Sequence, residues 1–236
     1  MVAEVPRLVI MLQDVSGVEN RAEGMYRAPG NAGPHTRARY EYQDACVALR
    51  CIPNLVPGSP VEAVAVEWSA DYVLLGGDGR REVVSVKHRD PGQNDWTFAK
   101  LKAENVFRDL HAAWRAMGEG GYFVFESNAG FAADLRPYVG NAGEHREPAR
   151  ESVRKLAACL QADPDEARRF LLCFFLRRDQ LPSLEHIDAV AARDLAVVME
   201  ELGLDASRSH ACLKALAGRI TFSQPSEHTG GPNPIC

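Results

Sequence analysis

Two residues of opposite charge bracket a glycine-rich turn in an otherwise apolar stretch: Asp71 opens Tyr72-Val73-Leu74-Leu75, and Lys87 closes Val83-Val84-Ser85-Val86. Apolar residues occupy consecutive positions in both runs, the pattern of strands covered on both faces. An ammonium in that setting is costly unless it neutralises or pairs with a carboxylate. Gly76-Gly77-Asp78-Gly79 supplies the turn. A hairpin centred near Gly77 and Asp78 sets positions whose numbers sum to roughly 155 to 158 opposite one another, which brings Asp71 close to Lys87. A carboxylate that can hold a divalent cation, beside a lysine that can orient or deprotonate water, supplies the parts for phosphodiester hydrolysis. The same spacing also fits two solvated residues at the ends of neighbouring strands.

The elements that position this pair follow from periodicity. Arg37 to Ile52 lacks Pro and Gly, and Tyr42, Ala45, Cys46, Ala48 and Leu49 recur at three- and four-residue steps, so a helix is expected there, stopped by Pro53. Val61 to Trp68, Tyr72 to Leu75 and Glu82 to His88 predict a three-stranded meander. Thr97 to Met117 predicts one long helix with Thr97 as N-cap, and Tyr122 to Glu126 predicts a strand able to pair in parallel with an earlier one. Further on, Glu147 to Leu160, Pro164 to Arg169, Leu184 to Leu202 and Ala206 to Ala217 predict helices, while Phe170 to Leu176 fits either a strand or a buried helix.

The 236-residue chain carries a formal charge of -5, which argues against a surface that holds nucleic acid through bulk positive charge; any DNA contact has to be local. Six cysteines show no CxxC pair and no zinc spacing and read as small apolar fillers, and the histidines outside the Lys87 region have no metal spacing either. Without a signal-peptide pattern or an apolar run of membrane length, a cytoplasmic protein without a membrane partner is expected.

Three stretches together resemble the double-stranded DNA endonuclease domain of bacterial antiphage effectors, a member of the PD-(D/E)xK superfamily. They are Val66-Glu67-Trp68-Ser69-Ala70-Asp71-Tyr72-Val73, Val86-Lys87-His88-Arg89-Asp90 and Trp96-Thr97-Phe98. The likeness extends upstream to Tyr40-Glu41-Tyr42-Gln43 and downstream to Val124-Phe125-Glu126-Ser127-Asn128. It implies that Asp71 ligates Mg²⁺ (or Mn²⁺), that Lys87 is the catalytic lysine, and that Ser85 stands where the family carries a carboxylate or glutamine. Serine is the poorer metal ligand, so Glu67, Glu82 or Glu41 would have to complete the site. His88 and Arg89, with Gln43, are expected near the DNA, and Lys100 and Lys102 to add phosphate contacts. Each of these also has a plain alternative as a solvated polar residue.

The expected fold is therefore α/β: a restriction-endonuclease-like core of a mixed sheet flanked by helices, with an additional mostly helical C-terminal segment. Residues 1–36 form an N-terminal extension, 37–130 the nuclease core, 131–223 the helical segment packed on it, and 224–236 a disordered tail. The function expected is metal-dependent cleavage of double-stranded DNA. The alternative is a catalytically impaired DNA-binding or protein-interaction module that keeps the fold. No GxxxxGK[ST] loop is present, so a truncated effector or a separate ATPase or sensor protein is expected, and homo-oligomerisation if both strands are cut.

Overall fold

The computed structural model describes residues 9–11, 34–66, 70–117, 120–144 and 147–223. The tail expected at 224–236, most of the N-terminal extension and Glu67 lie outside the described residues.

The meander forms as the alternation and the turn dictate. Strands β2 (Val61–Val66), β3 (Tyr72–Gly76) and β4 (Arg81–Lys87) pair antiparallel in sequence. Gly79 takes a left-handed φ of 79° in the β3–β4 turn, which a side chain would strain. Strand β5 (Tyr122–Ser127) returns parallel to β4, with Val84 opposite Val124 and Lys87 opposite Ser127. Antiparallel hairpins and a parallel crossover together make the sheet mixed.

Three further strands extend it to seven, in the order β1-β2-β3-β4-β5-β7-β6. Strand β1 (Val9–Met11) pairs parallel to β2, so the apolar run within the expected extension caps one sheet edge. At the other side β7 (Phe174–Arg177) lies between β5 and β6 (Val139–Gly140), parallel to both. Two strands of the segment after residue 130 thus belong to the same sheet, and β7 covers the edge that β5 would otherwise leave free.

Helices cover both faces. One layer holds α1 (Pro34–Cys51), α6 (Ile187–Glu201) and α7 (Ser209–Ser223), where Tyr42, Cys46, Val47, Ile187, Ala191 and Leu195 pack against Tyr72, Val84 and Val124. The other holds α2 (Phe98–Ala103), α3 (Val106–Met117), α4 (Arg150–Leu160) and α5 (Pro164–Cys173), where Leu110, Trp114, Leu156 and Phe170 pack against Val73, Val83, Phe123 and Phe125. The single helix expected from Thr97 to Met117 breaks in two. Asn105 adopts φ 57°, a left-handed conformation that asparagine tolerates better than most residues and that an α-helix cannot contain. Thr97 does cap α2, its Oγ1 accepting from Lys100 N at 3.3 Å. The ambiguous run Phe170 to Leu176 divides at Cys173 into the end of α5 and β7.

Among the described residues no helix is long and apolar enough to cross a membrane.

Candidate functional site

Alternation along β4 sends Val83, Ser85 and Lys87 to the α2–α5 side of the sheet and Val84 and Val86 to the α1 side. Because β3 pairs Tyr72 with Val84, the register carried one step further sets Asp71 opposite Ser85, on the same face as Ser85 and Lys87. The expected register window is met, but the direct neighbour of Asp71 is Ser85, and Lys87 lies on the diagonal, within reach of a long side chain.

Asp71 is half-buried just before β3 and is held at both oxygens. Gln43 Nε2, from α1, donates to Oδ1 at 2.6 Å, and the Val86 backbone N–H donates to Oδ2. Burial pushes the Asp71 carboxyl above its ordinary pKa, against the pull of the Val86 N–H, the Lys87 charge and the Ser85 hydroxyl; the charge of Asp109 on α3 raises it further. Asp109 is half-buried, its own pKa is also raised by burial, and it too feels Lys87. Lys87, half-buried, thus stands in the field of two carboxylates.

Several of the expected site residues have partners within the fold. Gln43, expected at the DNA, has its amide committed to Asp71. Arg89, also expected there, is only 9% exposed: it lies 4.5 Å over the Trp96 ring, Nη1 donates to the carbonyls of Asn94 and Asp95, and Nε donates to Gln93. The Asn128 amide clamps the Arg89 backbone at both N–H and C=O, each at 2.8 Å. Arg89 therefore builds the loop after β4, since a guanidinium offers enough donors to satisfy several carbonyls at once. His88 packs edge-on against Tyr42 at 4.8 Å, with Nδ1 3.7 Å from Asp90. Lys100 is half-buried in the first turn of α2 and Lys102 exposed on it. Glu41 is exposed near the middle of α1. Glu82 points away from the site and pairs with Arg177.

Asp109 went unnoticed in the sequence, although three residues after Val106 and four before Ala113 it borders the apolar stripe of α3. The second omission is Glu126. On the α1 face of β5 it is 0% exposed, with Arg50 of α1 (Nη2 2.9 Å) and Arg177 of β7 against its carboxylate and the Tyr72 hydroxyl donating at 3.0 Å. Glu126 Oε1 faces both Arg50 Nη2 and Arg177 Nε as ion pairs. Burial and the Glu126 charge push the Tyr72 phenol well above its ordinary pKa, which keeps it a donor.

No family model matches this sequence, and no curated protein matches it. Among solved structures it is similar to a Cap4 SAVED/CARF-domain containing receptor of Moraxella osloensis (TM-score 0.49, 15% identity, 78% of this chain and 43% of that one). It is also similar to the Acinetobacter baumannii Cap4 SAVED/CARF-domain containing receptor with the cyclic trinucleotide 3'3'3'-cAAA (TM-score 0.48, 13% identity, 77% and 40%). The chain spans about two fifths of the length of these receptors.

What a cation would find here is set by the donors. Among the described residues, to which Glu67 does not belong, no three or more His, Cys, Asp or Glu side chains gather as a metal site. Asp71, Asp109 and the Ser85 hydroxyl offer oxygen only. That set fits a hard divalent ion of the Mg²⁺ kind, which keeps much of its water and binds through one or two carboxylates plus substrate phosphate. It does not fit a closed zinc centre.

Proposed function

We propose that this chain hydrolyses phosphodiester bonds of double-stranded DNA with Mg²⁺ or Mn²⁺, on a restriction-endonuclease-like core, as an antiphage effector. The observation that carries the proposal is the shared face of Asp71, Ser85 and Lys87 at the end of β4, with Gln43 fixing the carboxylate from α1. The antiphage setting rests on the resemblance of the Val66 to Val73, Val86 to Asp90 and Trp96 to Phe98 stretches.

In this reading Asp71, with the Ser85 hydroxyl and Asp109, would hold the cation. The cation would polarise the phosphate and acidify a bound water. Lys87 donates to the phosphate oxygens and orients the attacking water from the adjacent position on the same face. The Gln43 and Val86 N–H groups hold the Asp71 carboxylate in one rotamer, so no reorganisation of that ligand is needed when substrate arrives.

The test is metal-dependent cleavage of linear and supercoiled DNA by the full chain, with Lys87→Ala beside it. Cleavage with Mn²⁺ that drops at least about a hundredfold in the variant supports the reading. Equal cleavage by both proteins refutes it.

A second reading, a catalytically impaired DNA-binding or protein-interaction module, is favoured by one feature: Ser85 leaves Asp71 facing a neutral partner. Ser85→Glu separates the two. A variant that gains cleavage from an inactive parent assigns the parent to the impaired class.

A further inference from the structure

We infer that Glu126 is a positioning residue for Asp71, acting from the opposite face of the sheet. The inference takes Asp71 as the working carboxylate, as proposed above.

Every strand and helix that brings a residue to Asp71, α3 excepted, is tied to this one buried carboxylate. Tyr72 follows Asp71 directly in the chain, and its hydroxyl donates to Glu126 Oε2. Arg50 follows Gln43 by two helical turns, which sets both on one side of α1. One end of that side grips Glu126 and the other donates to Asp71. Arg177 links Glu126 to Glu82, and Glu82 precedes Ser85 and Lys87 on β4. Asp71, its Gln43 partner and the β4 backbone that supplies the Val86 N–H are thereby referenced to a single point.

Chain stability alone gives no reason for such an arrangement. Buried ion pairs recover little more than their desolvation cost, and an apolar cluster of the same volume would hold the layers together as well. What directional charge-assisted bonds add is definition: they fix how far α1 stands along the strands and how β3 is rotated at its start, where Asp71 sits.

Hydrogen exchange in the full chain without any cation tests this, read at the Val86 backbone amide and the Gln43 side-chain amide by nuclear magnetic resonance. Glu126→Gln keeps the shape and removes the charge. Arg50→Met cuts only the α1 tether and leaves Arg177 on Glu126. Leu171→Ala, a core truncation in α5, controls for general destabilisation. The inference expects both amides to exchange at least tenfold faster in Glu126→Gln than the change in global exchange explains, and the Gln43 amide to do so in Arg50→Met. In Leu171→Ala the two amides should accelerate no more than the global rate. Unchanged protection relative to the global rate in both tether variants overturns the inference. So does an equal local loss in Leu171→Ala. Because no cation or DNA is present, a failed cleavage assay refutes the proposed function and leaves this result standing.

Discussion

Replacing Glu126 by leucine keeps most of the side-chain volume while removing the carboxylate that Arg50, Arg177 and Tyr72 share. Arg177 keeps Glu82 as a partner, whereas Arg50, 26% exposed, is left facing an apolar group and the Tyr72 hydroxyl loses its acceptor. Removing one partner of a buried ion pair costs about 3–5 kcal/mol, because an uncompensated charge stays inside. In a domain of this size that corresponds to a loss of roughly 6–20 °C in Tm. With a urea m-value of roughly 2–3 kcal/mol/M it corresponds to a midpoint lowered by about 1–2.5 M. The diagnostic step is the second substitution. In Glu126→Leu/Arg50→Met the orphaned guanidinium is gone, so the double variant should be more stable than Glu126→Leu alone. Urea unfolding followed by far-ultraviolet circular dichroism and tryptophan fluorescence reads all three proteins. A Glu126→Leu loss below about 1 kcal/mol, or a double variant no more stable than the single, refutes the buried-charge account.

The remaining predictions concern the site and one helix start. Burial raises the Asp71 carboxyl above its unfolded value, so its contribution to stability is fully present below the unfolded pKa and is lost as pH rises through the folded one. Asp71→Asn should therefore be more stable than the parent at pH 7 in thermal melts, converging with it in acid, while losing Mn²⁺ binding by calorimetry; a variant destabilised at pH 7 contradicts the assignment. Ser85→Glu adds a charged ligand opposite Asp71 and should tighten Mn²⁺ binding by about tenfold, since ligand charge sets affinity at oxygen sites; unchanged affinity would mean that position 85 does not face the ion. Thr97→Ala removes the cap of α2 and should cost about 1 kcal/mol in urea unfolding, with no change in Mn²⁺ affinity.

The meander, the parallel return of β5 and the capped start of α2 were legible because each is written locally, in alternation, turn residues and a threonine before an apolar stripe. The hairpin register was legible to within a residue or two, which was enough to join Asp71 to the β4 face but not to choose Ser85 over Lys87 as its direct neighbour. Gln43 and Arg89 were singled out without their partners in the fold: periodicity puts a polar residue on a helix side or a strand end without saying which distant carbonyl or carboxylate it meets. Glu126 carried the same signal that drew attention to Lys87, a charge in an apolar strand, yet its partners come from residues 50 and 177, beyond any local pattern. The place of β7 between β5 and β6 is likewise a long-range pairing that four residues cannot announce.

That insertion of β7 has a consequence for the order in which the molecule can assemble. During synthesis from the N-terminus, the parallel edge of β5 is complete about fifty residues before its neighbour exists, and until Arg177 emerges the Glu126 carboxylate has only Arg50 as a cationic partner. A fragment ending at residue 130 would hold Asp71, Ser85, Lys87 and Gln43 yet expose an apolar strand edge, so it should aggregate where the longer chain does not. The site is thus finished last, by residues that take no part in it.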